Sequence, residues 1–260
     1  MLEKNKSLNF QIVGSPKKPL VTFLHGFMGS GEDWLPVVRP LAADFCALLI
    51  DLPGHGKSSN MTNFNDLLSA IADIILSITN STSIVGYSLG GRLAMQLALA
   101  QPNLINRLII ESSNPGIEDR AEQEKREESD LHLFAHVNSP SSFNSFLSAW
   151  YANPIFGALS SKGLIPQRNF SIAQVERWQK SLAILSLGVM PSLWTKLNQL
   201  PSTVYISGSM DEKYSAIGKR LATNFLHIEN IIFNDCGHNC HLEMPEKFIN
   251  ILLKALGPTP

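Results

Sequence analysis

Short apolar runs alternate along this chain with longer stretches in which apolar positions recur at helical spacing. The apolar runs predict strands at residues 10–13, 20–24, 45–50, 83–87, 107–111, 203–207 and 230–233. The helical spacing predicts core helices at residues 66–78, 89–100, 216–224 and 245–256. This alternation favours an α/β fold class, with a mostly parallel central sheet flanked by helices.

The strand rhythm stops between residues 111 and 201. This part of the chain instead contains the helical patterns 118–137, 143–149, 172–187 and 191–198, of which the first is strongly charged. We therefore predict a core made of residues 1–112 and 201–260, with residues 113–200 inserted as a helical lid over the end of the sheet.

Composition narrows the class of protein. A chain of 260 residues can bury a sizeable core as one large α/β domain. Its net charge of −1 gives no sign of a basic surface, so we expect no nucleic-acid partner. No apolar run approaches the ~20 residues of a membrane-spanning helix, and residues 1–10 lack the apolar core of a signal peptide. Three cysteines, an odd number, predict no disulfide framework, and we expect a cytoplasmic location.

The segment 86–92, with the sequence Gly-Tyr-Ser-Leu-Gly-Gly-Arg, joins a predicted strand to a predicted helix. Gly-x-Ser-x-Gly in this position is typical of a nucleophile elbow, a strained turn that exposes one serine hydroxyl. The flanking glycines are needed where strand and helix backbones approach too closely for a Cβ. Ser88 is therefore the candidate catalytic serine.

A His-Gly loop at residues 24–30 follows an earlier predicted strand. This is the position of the loop that supplies one amide of an oxyanion hole in proteins with such an elbow. We predict that the N–H groups of Phe27 and Leu89 are the two donors, and that the positive end of the helix starting at Leu89 assists them. The alternative is a tight turn without a catalytic role.

An acid and a base are predicted at two later strand ends. Asp211 follows the run 203–207 and one glycine, and His238 lies in a Gly-His loop between the last strand and the final helix. The chain order Ser88, Asp211, His238 is one of the known orders of a Ser–His–Asp triad. Glu212 is a rival for the acid and His241 a rival for the base.

Two other motifs have weaker interpretations. Four potential metal ligands occur close together: Cys236, His238, Cys240 and His241. Four ligands within so short a stretch do not easily surround one tetrahedral ion, so we predict no metal site and interpret the cysteines as buried apolar residues. The segment 51–58 resembles a phosphate-binding loop only in part, because Asp51 stands where the first glycine is required, and we interpret it as a turn.

Together these motifs resemble the α/β-hydrolase superfamily over essentially the whole chain. A more specific resemblance is to the 2-succinyl-6-hydroxy-2,4-cyclohexadiene-1-carboxylate (SHCHC) synthases, the pyruvate-eliminating enzymes of menaquinone biosynthesis. The segments that carry this resemblance are 24–34, 86–92, 122–130, 149–156 and 237–245.

The resemblance implies a set of functional residues. The implied catalytic residues are Ser88, Asp211 and His238. The implied substrate-binding residues are Arg92, Arg126, Arg168, Tyr87, Trp150 and His25. The implied ligand is a small-molecule tricarboxylate, and the family requires neither a metal ion nor an organic cofactor. The alternative for Arg126 and Arg168 is a solvated surface position, and Trp150 could equally contribute to packing of the lid.

The position of Arg92 supports this choice independently of the resemblance. It lies four residues after Ser88 in the first turn of the predicted helix, so its side chain can point near the serine. A guanidinium that loses water without a partner is costly, whereas a carboxylate satisfies it with two hydrogen bonds. A site for purely apolar esters would not favour this residue.

The favoured hypothesis is a lyase in which His238, oriented by Asp211, makes Ser88 basic enough to remove a proton α to the succinyl ketone of the substrate, so that pyruvate leaves. A carboxylesterase or carbon–carbon bond hydrolase with Ser88 as a covalent nucleophile is the alternative enzyme. A non-catalytic binding protein that retains the fold is the alternative from another class.

Overall fold

A computed structural model describes residues 8–157, 159 and 161–257 of the protein. Within these ranges seven strands form one sheet: β1 (Phe10–Val13), β2 (Leu20–Leu24), β3 (Cys46–Ile50), β4 (Thr82–Tyr87), β5 (Ile105–Glu111), β6 (Thr203–Gly208) and β7 (Ile228–Phe233). Their order is β1-β3-β2-β4-β5-β6-β7, with β1 antiparallel to β3 and the other neighbours parallel. The predicted mostly parallel sheet is confirmed. The first seven and last three residues of the predicted core lie outside the described residues.

Helices cover both faces of the sheet. Their bounds are α1 (Leu35–Leu41), α2 (Phe64–Leu76), α3 (Leu89–Ala100), α4 (Arg120–Leu131), α5 (Pro140–Tyr151), α6 (Ile172–Leu185), α7 (Glu212–Asn224), α8 (Cys240–Glu243) and α9 (Pro245–Leu256). Helices α2 and α3 pack on one face, and α1 and α9 pack on the other. Strands β2 and β3 are buried along their whole length, because a parallel sheet covered on both faces excludes water from every position.

Two helix predictions at the edges of the core need correction. Helix α1 is absent from the predicted elements because Pro36 and Pro40 mask its periodicity, although a proline in the first turn suits a helix. Helix α7 begins at Glu212, four residues before the predicted start, because the Asp211 side chain accepts a hydrogen bond from the Tyr214 amide and caps the helix.

The chain between β5 and β6 contains α4, α5 and α6, close to three of the four predicted helical patterns. The fourth prediction, a helix over residues 191–198, is wrong. This stretch forms turns that end in the 3₁₀ helix Leu197–Gln199. Two of its polar groups bond outside the segment instead: the Leu193 N–H donates to Pro115 O, and the Trp194 indole N–H donates to Gly116 O.

The β5–β6 segment, residues 112–202, crosses the sheet at the carboxyl ends of its strands. The Arg92 guanidinium donates to the carbonyl of Leu185 in this segment, and the His238 N–H donates to the carbonyl of Ile155. Carboxyl ends of neighbouring parallel strands share one edge of a sheet, so the loops after β2, β4, β6 and β7 meet there. Across the described residues, no helix has both the length and the apolar character needed to traverse a bilayer.

Two neighbouring leucines of α9 test the assignment of the core face. Leu252 is 0% exposed and Leu253 is 39% exposed. We expect Leu252→Ala to lower the free energy of unfolding by about 2–5 kcal/mol, because it leaves a cavity, and Leu253→Ala to lower it by less than about 1 kcal/mol. Urea unfolding of both variants measures the difference, and equal losses would contradict the orientation of α9.

Candidate active site

Ser88 lies at the sharp turn between β4 and α3. Its backbone has φ +50° and ψ −106°, a conformation that non-glycine residues rarely adopt. Hydrogen bonds hold it there, since its N–H donates to Glu111 O at 2.8 Å and its carbonyl accepts from the Ser113 hydroxyl at 2.7 Å. A Cβ on Gly86 would lie 2.7 Å from Gly90 O, and one on Gly90 would lie 2.1 Å from Leu24 O, which explains the glycines on both sides of the serine.

Ser88, His238 and Asp211 form a continuous hydrogen-bonded chain. Nε2 of His238 lies 3.1 Å from Oγ of Ser88, and Nδ1 lies 2.6 Å from Oδ2 of Asp211. Asp211 is fully buried, and its other carboxylate oxygen accepts the Tyr214 N–H. A buried carboxylate in this place orients the imidazole and stabilises its protonated form.

The two rival residues lie elsewhere. Glu212 is exposed at the start of α7. His241 is buried and bonds to a different carboxylate, with its Nδ1 2.7 Å from Oε2 of Glu111. Neither residue therefore joins the hydrogen-bonded chain to Ser88.

Two backbone N–H groups are available near Ser88. In the described part of the chain, the N–H groups of Phe27 and Leu89 have no hydrogen-bond partner. Phe27 lies in the turn closed by the Gly29 N–H donating to Gly26 O, and Leu89 is the first residue of α3. Both residues line the same cavity as Ser88, so their amides are the candidate donors of an oxyanion hole.

His25 and Tyr87 also line the cavity, but their polar atoms are engaged. The Nε2 of His25 accepts the Leu52 N–H at 2.9 Å, and its Nδ1 lies 2.7 Å from Gly26 O. Burial lowers the pKa of His25, which suits a neutral ring that accepts at Nε2. The Tyr87 hydroxyl donates to Asn239 at 2.8 Å, and burial raises its pKa well above the usual value. Both side chains support loops, and their predicted contact with a ligand stays a prediction.

A cavity of about 450 Å³ opens above Ser88. The sheet edge forms its floor, and the β5–β6 segment supplies part of its wall through Arg126, Trp150 and Arg168. The Trp150 ring packs against Phe27, with ring centroids 5.9 Å apart. The structure thus brings the predicted site residues to the wall of one cavity, except Asp211, which is buried behind His238.

Arg92 supplies a buried positive charge without a carboxylate partner. Its Nη2 donates to Leu185 O at 3.2 Å, while its Nε is buried without any partner in the described residues. Burial lowers the pKa of Arg92 to about 10, so the guanidinium is still charged at neutral pH. A buried charge is costly unless it is paired, and this one faces the cavity. The site is therefore suited to an anionic group.

Arg126 and Arg168 reach the cavity already paired. The Nε of Arg126 lies 2.9 Å from Asp130, four residues later in α4. Arg168 binds both carboxylate oxygens of Asp33, at 3.2 and 2.7 Å. Each of these two cations therefore exchanges one carboxylate for another if it binds an acidic ligand.

The sequence interpretation missed several residues of the cavity wall: Asp33, Asp130, Lys213 and Tyr214. Asp130 could have been found, because a carboxylate four residues from an arginine on a helix is a common pair. Lys213 lies two residues after Asp211 in the first turn of α7. Asp33 gives no local signal, since its partner Arg168 is 135 residues away.

The Cys/His cluster at residues 236–241 and the segment 51–58 make contacts that hold the fold together. Cys236 and Cys240 are fully buried, and His238 and His241 turn to different carboxylates. Among the described residues no cluster of three or more such side chains could hold a metal ion. The Asp51 carboxylate accepts the N–H of Gly31 and of Lys57, so this loop is held by its own acid.

The fold and the serine–histidine–aspartate chain at the sheet edge define the class of protein. The family described as "Alpha/beta hydrolase family" matches residues 23–251. Neighbours with the same fold include the structure described as MenH from S. aureus, which has a TM-score of 0.85, 25% sequence identity, and coverage of 96% of this chain and 97% of that one.

Sequence relatives define the family more closely. A 2-succinyl-6-hydroxy-2,4-cyclohexadiene-1-carboxylate synthase from Enterobacter sp. (strain 638) is 34% identical over 254 residues, which cover 94% of this chain and 93% of the relative. The synthase of the same name from Photorhabdus laumondii is 34% identical over 242 residues, covering 88% and 82%. The chain therefore belongs to the alpha/beta hydrolase family and, within it, to the family of SHCHC synthases.

The unpaired charge of Arg92 predicts a conflict between stability and ligand binding. We expect Arg92→Met to raise the free energy of unfolding by about 1 kcal/mol, because replacing a buried charge with an apolar group of similar volume removes a desolvation cost. The matched control is Arg126→Met, which leaves the buried Asp130 without its cation and should lower stability. Urea unfolding of both variants is the measurement, and a less stable Arg92→Met protein would contradict this view of the site.

Proposed function

We propose that this protein eliminates pyruvate from 2-succinyl-5-enolpyruvyl-6-hydroxy-3-cyclohexene-1-carboxylate to give SHCHC, in menaquinone or phylloquinone biosynthesis. The observation that carries the proposal is the unpaired guanidinium of Arg92 in the wall of the cavity above Ser88. The sequence relatives named SHCHC synthase support the same reaction.

The substrate carries three carboxylates, and three arginines line the cavity. Arg92 binds one carboxylate without giving up a carboxylate of the protein. Arg126 and Arg168 bind the others in exchange for Asp130 and Asp33. A planar guanidinium matches a carboxylate with two parallel hydrogen bonds, so this binding fixes the orientation of the substrate as well as its position.

The proton transfer begins at the serine. Asp211 holds the Nδ1–H of His238, so that Nε2 accepts the proton of the Ser88 hydroxyl. The Ser88 oxygen then removes the proton α to the succinyl ketone. Electrons move through the ring alkene, and the bond between the ring carbon and the enolpyruvyl oxygen breaks. The N–H groups of Phe27 and Leu89 stabilise the enolate that develops on the ketone oxygen.

The division of the chain follows from this function. We assign residues 113–200 to a lid and residues 1–112 and 201–260 to the catalytic core. The contacts that support this assignment are those of Arg126, Trp150 and Arg168 with the cavity, because all three come from the β5–β6 segment. By excluding water, this segment would strengthen each electrostatic contact inside the cavity.

Pyruvate release tests the proposal directly. The enolpyruvyl substrate is added to the purified protein, and pyruvate is measured with coupled lactate dehydrogenase. We expect release well above the spontaneous rate, and a fall of roughly 10³-fold or more in kcat for Ser88→Ala, because the variant lacks the base. The Ser88→Ala variant should still bind the substrate, which calorimetry measures.

Two further results separate the elements of the proposal. Arg92→Met should weaken binding and slow turnover, since it removes the buried arginine that is free to bind a carboxylate. The control variant is Arg220→Met. Arg220 is exposed and pairs with Glu118 outside the cavity, so its replacement should leave pyruvate release unchanged. Release no faster than the spontaneous rate, or a Ser88→Ala protein at nearly the wild-type rate, would refute the assignment.

Hydrolysis of an ester or a carbon–carbon bond is the second candidate, and the short contact between Ser88 and His238 favours it, because acyl-transfer enzymes activate a serine in this way. In that reaction Ser88 forms a covalent acyl-enzyme. A mass increase on Ser88 during turnover would establish the hydrolase, whereas the elimination leaves the mass of the protein unchanged.

A further inference from the structure

A second buried carboxylate–histidine pair lies beside the first. Glu111, at the end of β5, is fully buried, and its Oε2 lies 2.7 Å from Nδ1 of His241. Its Oε1 accepts the backbone N–H of His241 at 3.0 Å. His241 follows His238 by three residues and is only 4% exposed, yet it lines the cavity. The mechanism described above assigns no task to this pair.

One carboxylate and three aromatic rings surround the His241 imidazole. From β5 it faces the Glu111 carboxylate, and from β4 it faces the Tyr87 phenol at a ring distance of 4.9 Å. The Trp34 ring lies 4.5 Å from it at an interplanar angle of 34°, and the Phe248 ring of α9 lies at 6.0 Å. A carboxylate bonded to Nδ1 and the face of an indole are both attractive contacts for a positive charge.

The hydrogen bonds determine which ring atom is available. Glu111 occupies Nδ1, so the proton on that nitrogen points away from the cavity. Within the described ranges Nε2 of His241 has no hydrogen-bond partner. A protonated His241 therefore has one free donor, its Nε2–H, in a residue that lines the wall of the cavity.

The elimination proposed above needs a proton donor that His238 cannot provide at the right moment. His238 receives a proton as Ser88 takes one from the substrate, and its Nε2 faces Ser88. The oxygen that leaves the ring gains an electron pair in the same reaction. An acid at a second position can protonate that oxygen while His238 is still occupied.

We propose that His241 is a second catalytic acid–base residue, which donates its Nε2 proton to the departing enolpyruvyl oxygen; this inference rests on the proposed function. The ring C–H bond and the C–O bond break, and a ring double bond forms. The new O–H bond gives enolpyruvate, which tautomerises to pyruvate. The proton held by His238 and the one lost by His241 are exchanged with water after product release, so the reaction is balanced.

Deuterium exchange distinguishes this catalytic task from a role in holding the loop. The substrate is incubated with each protein in D₂O, and the reaction is stopped at partial conversion. Mass spectrometry measures deuterium in the unreacted substrate, and lactate dehydrogenase measures pyruvate. For His241→Gln we expect pyruvate release to fall roughly 10²-fold, while the rate of proton removal changes by less than about 3-fold. The recovered substrate then accumulates deuterium, which the wild-type reaction does not show.

A second variant covers the case in which His241→Gln does not fold. Glu111→Gln keeps an amide oxygen beside Nδ1 but removes the negative charge there. As for His241→Gln, we expect pyruvate release to fall much more than the rate of proton removal. The matched control is His132→Gln, because His132 is exposed at the end of α4 and does not line the cavity. This control should match the wild type in both measurements.

The outcomes are distinct from those of the proposed function. Equal losses of exchange and release in the His241 and Glu111 variants would show a structural role and overturn the inference alone. Wild-type rates in both variants would also overturn it. If the wild-type protein releases no pyruvate, while its serine reacts with other substrates, the proposed function and this inference are both refuted.

Discussion

The close approach of helix α3 to the ends of β2 and β4 is the constraint on which the site depends. A Cβ on Gly90 would lie 2.1 Å from the carbonyl oxygen of Leu24, so this packing is possible only with glycine. The same packing holds Ser88 in its left-handed conformation and directs the N-terminus of α3 at the cavity. One backbone contact thus positions Ser88, the Leu89 amide and Arg92 together.

The three arginines that line the cavity differ in whether a carboxylate of the protein balances their charge. Arg126 and Arg168 are each paired with a carboxylate of the protein, so their charges are balanced without a ligand. Arg92 has no carboxylate partner among the residues that the structure describes. The buried charge of Arg92 therefore lowers the stability of the protein, and the proposed acidic substrate would restore it by binding there.

The loop after β7 is held from several sides. Glu111 accepts the His241 N–H from the sheet, Glu243 accepts the Gly237 N–H at 2.8 Å, and Ile155 accepts the His238 N–H at 2.8 Å. Because the last contact comes from the β5–β6 segment, the position of His238 is coupled to the segment that carries two of the arginines. The positions of His238 and of the β5–β6 segment are thus linked through one loop.

The sequence by itself determined the strands, the mostly parallel sheet and the residues at its carboxyl edge. Alternating apolar runs, the elbow glycines and the Gly-His loop are local signals, and Ser88, Asp211 and His238 follow from them. Helix α1 was hidden by its prolines, and the stretch 191–198 carried a helical pattern that its tertiary hydrogen bonds override.

Only the tertiary structure decided how charged groups that lie far apart in the chain pair. Arg168 meets Asp33 across 135 residues, and His241 meets Glu111 across 130. Such pairs arise from the crossing of distant segments over the sheet edge, and no spacing in the chain encodes them. Local patterns specify which residues face the core, because burial depends on periodicity. The partner of a buried charge depends instead on which segments the completed fold brings into contact.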